Sequence, residues 1–277
     1  MVTRRGLLRG AAVGAMGLPL YTWRLEPSWV AFEGRDLPID GLPAGLAGRR
    51  LVQLSDIHIG AQVDDGYVVE TFKSVTSLKP DFVVFTGDLI SYRSDAELDQ
   101  ARHVLEHFPR GRLGTVAVLG NHDYGPGWSS PSVAGRVEKI LLDAGATVLR
   151  NAATVLAGLQ FVGLDDLWSP RFNPGPILQD IGESRGTVVL CHNPDAADLP
   201  VWGAYRGWIL AGHTHGGQCK PPFLPPPVLP VRNSRYTSGA FALSGGRSLY
   251  INRGVGHLIR VRFNVRPEVT VFRLVPA

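Results

Sequence analysis

Five short polar clusters, each following an apolar run, carry the residue types that hold hard and borderline metal ions. They are Asp56-Ile57-His58, Gly87-Asp88, Gly120-Asn121-His122-Asp123, Cys191-His192-Asn193 and Gly212-His213-Thr214-His215. Carboxylate, amide oxygen and imidazole suit Mn, Fe, Zn or Co, and the absence of thiolates from the set argues against a structural zinc site. The ligand count fills two divalent ions while leaving positions for water. Two ions roughly 3.5 to 4 Å apart lower the pKa of a shared water, orient a phosphoryl group and neutralise the oxyanions of an in-line displacement. The chemistry expected is hydrolysis of a phosphoester by direct attack of hydroxide on phosphorus, with no covalent enzyme intermediate.

Each cluster alone has an ordinary explanation. Asp-x-His is commonly a surface pair or a cap, and Gly-Asp a turn. Their joint occurrence in this order, each after an apolar run, is what points to a metal centre. Asp56-x-His58 and His213-x-His215 share a spacing of two, which aims both side chains to one face in extended backbone. Such a pair clamps one ion, or straddles two where the chain turns. Gly87, Gly120 and Gly212 precede ligands, which suits tight turns or a close approach of backbone.

The elements that must position these residues follow from periodicity. Short apolar runs predict strands over Leu51–Ser55, Asp81–Phe85 and Thr115–Leu119, alternating with helices over Val63–Leu78, Asp95–Phe108 and Pro131–Ala144. Ser94 is the expected cap of the second helix. The second half reads mainly as strands: Phe161–Leu164, Thr187–Leu190, Trp208–Leu210, Phe241–Leu243, Leu249–Ile251 and Val269–Phe272. Pro27 to Arg50 reads as a first strand with turns. Strands alternating with helices, then runs of strands, imply an α/β fold of two packed mixed sheets with helices outside. Ligands bind beyond the carboxyl ends of strands in open α/β sheets, so the clusters are expected to converge there.

At 277 residues, 44% hydrophobic and 19% charged, the chain can bury a full core as one catalytic domain. The net charge is +4, but Arg4, Arg5 and Arg9 account for three of those charges, and without them it falls to +1. No basic block with interleaved aromatics occurs elsewhere, so nucleic acid is not the expected partner. Thr3-Arg4-Arg5-Gly6-Leu7-Leu8 precedes an uncharged, mostly apolar run from Gly10 to Trp23, similar to a twin-arginine export signal. That run is shorter than the roughly 20 residues of a transmembrane helix. Residues 1–23 are therefore expected to be an export signal or membrane tether, with residues 24–277 the catalytic domain. Export would place the protein in the periplasm or on the outer face of the cytoplasmic membrane. Cys191 and Cys219 are expected to be free thiols. The segment Pro221–Pro227 must be extended, as a rigid surface loop or a wall of the substrate cleft.

The ordered clusters resemble the full motif set of the calcineurin-like metallophosphoesterases. Leu54-Ser55-Asp56-Ile57-His58-Ile59-Gly60, His213-Thr214-His215-Gly216-Gly217-Gln218 and Asn252-Arg253-Gly254-Val255-Gly256 are similar to the exported bacterial branch of that family. The resemblance implies a four-layer sandwich of two mixed sheets flanked by helices. It implies that Asp56, His58 and His215 hold one metal, that Asn121, His192 and His213 hold the other, and that Asp88 bridges them. His122 is implied to be the catalytic acid that meets the substrate phosphate, oriented by Asp123. Similar relatives keep the Asn-Arg-Gly turn, so Arg253 is expected to contact substrate, with His257 beside it. His103 and His107 lie at i, i+4 without an accompanying carboxylate motif and are expected to be surface residues.

No phosphate-cradling Gly-rich string of the nucleotide- or dinucleotide-binding type is present. The expected substrate is an envelope or lipid-linked phosphoester, including a pyrophosphate bond. The alternatives are a broad phosphodiesterase or phosphatase on nucleotides or small esters, and an exported metal- or envelope-binding protein whose site is vestigial.

Overall fold

Residues 17–181 and 185–277 are described by the computed structural model. The Arg4-Arg5 pair lies outside the described residues. In chain order the strands are β1 (Ala31–Ile39), β2 (Arg50–Leu54), β3 (Phe82–Thr86), β4 (Gly114–Val118), β5 (Thr147–Val148), β6 (Ala152–Leu156), β7 (Leu159–Gly163), β8 (Thr187–Leu190), β9 (Gly207–Ala211), β10 (Gly239–Ala242), β11 (Arg247–Ile251) and β12 (Glu268–Pro276). Among the described residues, the α-helices that lie wholly within them are α1 (Asp65–Ser77), α2 (Asp95–Val104), α3 (Pro131–Asp143) and the short α4 (Gly175–Gln179).

The strands form two six-stranded mixed sheets, ordered β1-β12-β2-β3-β4-β5 and β10-β11-β9-β8-β7-β6. In the first, β2 to β5 run parallel and β12 is antiparallel to β2. In the second, β7, β8, β9 and β11 run parallel, with β6 and β10 antiparallel at the two edges. Strand parity explains the layering. Val52, Leu54, Val83 and Phe85 pack against the helices, while the alternate residues Leu51, Phe82 and Val84 face the second sheet. Across that interface, Leu190 and Leu210 point inward, and Val189 and Ile209 point outward to meet Leu178 of α4, Ala196 and Ala197. The result is the expected four-layer arrangement: helices, sheet, sheet, and an outer layer of short helical turns.

Local signals match the helices. Asp64 caps α1, its side chain accepting from Tyr67 N at 2.8 Å. Ser94 and Glu97 form a capping box on α2, with Ser94 N donating to Glu97 Oε2 at 2.7 Å. The predicted second helix is shorter than expected: it passes into a 3-10 turn at Leu105–His107. The two-residue β5, strand β6 and α4 carry no sequence expectation. β12 is longer than expected because all nine of its residues pair with β1.

Residues on both sides of the boundary expected at residue 23 hydrogen-bond to the C-terminal part of the chain. Thr22 O accepts from Arg262 N at 3.0 Å, and the buried Glu26 accepts from Val265 N at 2.6 Å. Among the described residues no helix is long and apolar enough to cross a membrane.

Candidate metal centre

The ligand clusters leave the carboxyl ends of β2, β3 and β4 in one sheet and β8 and β9 in the other, so the site spans the edge shared by both sheets. Cross-loop hydrogen bonds set the turns: Asp56 N donates to Gly87 O at 2.9 Å, His58 N to Asp88 O at 3.1 Å, and Gly212 N to His192 O at 3.0 Å. Two glycines permit the approach. A Cβ on Gly120 would sit 2.2 Å from Asp88 Oδ1, and one on Gly212 would sit 2.0 Å from Ser55 Oγ. Five expected ligands occupy the left-handed region: Asp56 (φ 50°), His58 (φ 53°), Asp88 (φ 58°), His213 (φ 73°) and His215 (φ 50°). Such conformations cost side-chain-bearing residues about 1–3 kcal/mol each and persist only where the surroundings fix them.

Asp56, His58 and His215 come together as one group able to hold an ion, and Asp88, His192 and His213 as a second. In the first, His58 Nε2 lies 3.0 Å from His215 Nε2, which is 3.2 Å from Asp56 Oδ1. In the second, His192 Nε2 lies 3.1 Å from both Asp88 Oδ2 and His213 Nδ1. Asp88 Oδ2 also lies 3.6 Å from His58 Nε2, so this carboxylate touches both groups. The spacing-of-two pairs behave differently: Asp56 and His58 share a group, whereas His213 and His215 divide between the two because the chain turns.

Backbone carbonyls fix the tautomers. Thr86 O accepts from His192 Nδ1 at 2.8 Å, and Pro230 O accepts from His213 Nε2 at 2.9 Å. With both rings neutral, the opposite nitrogens, His192 Nε2 and His213 Nδ1, face each other as acceptors 3.1 Å apart, a disposition that a cation between them satisfies. Asn121 Oδ1 is buried without a hydrogen-bond partner. Buried polar atoms are nearly always satisfied, and an uncommitted amide oxygen one residue from the His122 N–H that donates to Asp88 Oδ1 fits a metal ligand. The donor set present thus fits two divalent cations.

The charges agree. Burial opposes ionisation of Asp56 and Asp88, yet neighbouring imidazoles, His215 for Asp56 and His192 for Asp88, hold both carboxyls below their ordinary range. Burial draws His213 down to about 3, and burial likewise keeps His58 well below the usual range. Burial also works against His192, but Asp88 draws it up to about 10, so a proton competes with a metal for Nε2. Buried carboxylates that stay ionised are held by positive charge, which the His192 imidazolium supplies when no metal is bound and which a divalent ion would supply in its place.

His122 stands apart from both groups, its ring edge-on to His58 at 5.1 Å between centroids. Asp123 does not orient it, which corrects the expectation. The Asp123 carboxylate accepts from four backbone N–H groups: Gly120 at 2.9 Å, Asp88 at 3.0 Å, Leu89 at 2.8 Å and Ile90 at 3.2 Å. It therefore holds the strained turn that carries Asp88. Burial, with Asp88 adding to it, pushes the Asp123 carboxyl up to about 7.

Arg253 and His257 are also corrected. The Arg253 guanidinium is committed to two carboxylates, Glu33 at 2.8 Å and Glu268 at 2.6 Å, leaving no free charge for a substrate phosphate. His257 is buried and donates from Nε2 to Gln62 O at 2.9 Å, and burial lowers it to about 4. Their segment instead braces the first cluster, with Val255 N donating to Ser55 O at 3.0 Å and Gly256 N to Asp56 O at 2.7 Å. The buried Arg262 secures it from behind, Nη2 donating to Arg253 O, Gly254 O and Gly256 O. His103 and His107 are exposed, and Cys191 and Cys219 are free.

Sequence reasoning missed an aromatic wall and a buried acid. Trp128 stacks on Trp168 with centroids 4.7 Å apart; Trp128 meets His122 at 6.3 Å and Trp168 meets His213 at 4.7 Å. The pair spans from the implied acid to the second metal group. Trp128 is held at φ 56°, a strained position for a bulky residue. Asp166 is fully buried and burial raises it to about 7, with His192 and Asp88 acting on its charge. Its signal was present, since Asp165-Asp166 follows an apolar run as the ligand clusters do.

The calcineurin-like phosphoesterase profile matches residues 49–217. A metallophosphoesterase of Bacillus subtilis, YkuE, is 33% identical over 97% of this chain and 94% of its own length. The phosphodiesterase YaeI of Escherichia coli is 31% identical, covering 99% and 100%. The UDP-2,3-diacylglucosamine pyrophosphatase LpxG of Chlamydia trachomatis is 27% identical, covering 93% and 94%. The matched residues include every member of the two ligand groups, and the likeness to whole relatives runs nearly end to end: the chain belongs to the calcineurin-like phosphoesterases and is a phosphoester hydrolase.

Proposed function

We propose that this chain, exported by its twin-arginine-type N-terminus, hydrolyses a phosphodiester or pyrophosphate bond of a lipid-linked envelope phosphoester. The observation that carries the hydrolytic part is Asp88, whose Oδ2 lies 3.1 Å from His192 of one ligand group and 3.6 Å from His58 of the other. The lipid-linked part is supported by similarity along nearly the whole chain to a relative named as a diacylglucosamine pyrophosphatase.

Two divalent ions, when bound, supply an activated water and neutralise the phosphoryl oxygens. Asp56, His58 and His215 would hold one; Asn121, His192 and His213 the other; Asp88 both. The protein's remaining work is positional. Asp123 fixes the turn at Asp88, and the His122 N–H donates to Asp88 Oδ1 at 2.9 Å, so the shared carboxylate has one orientation. The His122 imidazole, outside both groups and beside His58, would stabilise the transferring phosphoryl or protonate the leaving oxygen. Trp128 and Trp168 wall that side.

Protein loaded with Mn²⁺ should hydrolyse bis-p-nitrophenyl phosphate, and Asp88→Asn should fall to background; equal inertness of both over several metals would leave only a metal- or envelope-binding role. For the substrate, an envelope lipid extract and a nucleotide panel are incubated in parallel and the products identified by mass spectrometry. A lipid-derived product that Asp88→Asn does not form is the expected result. Cleavage of nucleotides alone would establish the second reading, a phosphodiesterase on nucleotides or small esters, which the stacked Trp128–Trp168 face favours because it suits a planar base.

A further inference from the structure

Of the fifteen exposed large apolar side chains among the described residues, eleven fall in three stretches, 18–32, 223–228 and 258–259. These stretches are distant in sequence and joined in space. Arg262 N donates to Thr22 O at 3.0 Å, Phe263 N to Gln218 O at 2.9 Å, and Lys220 N to Phe263 O at 2.9 Å. Gln218 Nε2 donates to Ile259 O at 3.2 Å. The tips are Trp23, Leu25, Phe223, Leu224, Leu258 and Ile259, with Phe223 fully exposed and Ile259 at 69%. Soluble surfaces rarely gather apolar side chains this way unless they meet an apolar partner.

The same segments reach the metal centre. Pro230 O accepts from His213 Nε2 at 2.9 Å, and Arg262 Nη2 lies 3.4 Å from His215 Nδ1. The apolar tips are therefore a rim beside the site. Its charge has one sign. Residues 18–32, 218–228 and 257–266 contain Arg24, Lys220, Arg260, Arg262 and Arg266, and a single acidic residue, Glu26, which is buried and accepts from Val265 N. Arg24 and Lys220 are exposed beside the apolar tips.

We infer that this rim docks the protein on an anionic phospholipid bilayer, with Trp23, Phe223, Leu224 and Ile259 entering the interface and Arg24 and Lys220 pairing with headgroup phosphates. Tryptophan and long basic side chains favour this boundary, since each is apolar along its body and polar at its tip. Basic residues near an anionic leaflet add attraction that apolar burial alone lacks. Docking brings the mouth of the metal centre to the headgroup layer, where a phosphoester with a lipid tail is reached without leaving the membrane. The purpose of the surface rests on the lipid-linked reading above; its geometry does not.

Co-sedimentation of the full chain with two kinds of vesicle tests this: phosphatidylcholine alone, and an equal mixture of phosphatidylcholine and phosphatidylglycerol. Wild type is expected to pellet with the mixed vesicles and about tenfold less with phosphatidylcholine alone. Phe223→Ser/Leu224→Ser/Ile259→Ser is expected to bind the mixed vesicles at least about tenfold more weakly while hydrolysing bis-p-nitrophenyl phosphate as wild type does, which shows that it is folded. Arg24→Gln/Lys220→Gln is expected to lose the preference for anionic vesicles. The inference is overturned if wild type stays in the supernatant with both vesicles, or if the triple variant pellets like wild type. It is equally overturned if sedimentation without lipid shows a wild-type dimer that the triple variant converts to monomer, since the rim would then be covered by a second copy. Hydrolysis of the soluble ester with no vesicle binding would sink the docking surface alone and leave the hydrolase reading intact.

Discussion

At the scale of single residues, His122 and Asp123 are neighbours with separate tasks. His122 belongs to neither ligand group and sits edge-on to His58. His122→Ala is therefore expected to keep both metals, measured by elemental analysis, while kcat falls by about 10²- to 10⁴-fold, the range of one lost proton donor. Asp123 is a buried carboxylate that satisfies four backbone N–H groups. Asp123→Ala leaves those donors unpaired at about 1–3 kcal/mol each, so scanning calorimetry should show a melting temperature lower by roughly 10 °C or more. An unchanged Tm would mean the turn at Asp88 is held by something else. The clusters that supply the two groups were legible because each follows an apolar run at the end of a strand, a local pattern. The role of Asp123 was not, because its partners at Asp88 to Ile90 lie more than thirty residues away and accept no pattern in sequence. Arg253 was misread for the same reason: the carboxylate at Glu33 that occupies it is 220 residues distant.

At the scale of elements, the turn from Asn252 to His257 is a brace behind the first cluster, and His257 makes its stability pH-dependent. Burial holds His257 at about 4 in the folded chain against about 6.5 when exposed. The folded pKa is depressed, so the unfolded state takes up the proton first as pH falls. The contribution of neutral His257 is complete above about pH 6.5 and is lost as pH falls towards 4. His257→Gln should flatten the decline in stability over that window by up to about 3 kcal/mol, read from urea denaturation at several pH values. Parallel curves for wild type and variant would show that His257 does not carry this linkage. Element existence was readable for α1, α2, α3 and the central strands, whose apolar periodicity is strong. The pairing of β1 with β12 was not, since it joins residues more than 230 apart. The left-handed turns at Asp56, His58, Asp88, His213 and His215 were equally hidden, because Asp and His carry no local preference strong enough to announce a conformation that cross-loop hydrogen bonds impose.

At the scale of the whole molecule, the two sheets share a buried interface in which Phe82 meets Phe161 with centroids 5.4 Å apart. Phe82→Ala is expected to cost about 3–5 kcal/mol, and because β2, β3 and β4 belong to one sheet and β8 and β9 to the other, loosening this contact should reduce metal retention as well as stability. The architecture of two mixed sheets was foreseeable from the shift between alternating elements and runs of strands. That the metal centre would bridge them was not, since which strands stand side by side depends on sheet order rather than chain order. One carboxylate, Asp88, stands against both candidate ion groups, which draw on both sheets. Metal stoichiometry of the purified chain after dialysis against Mn²⁺, by elemental analysis, tests this most directly. Two ions are expected per wild-type chain, one or fewer after His215→Ala or His192→Ala, and none retained with Asp88→Ala. A wild-type chain holding a single ion at full activity, or an Asp88→Ala chain still holding two, would contradict it.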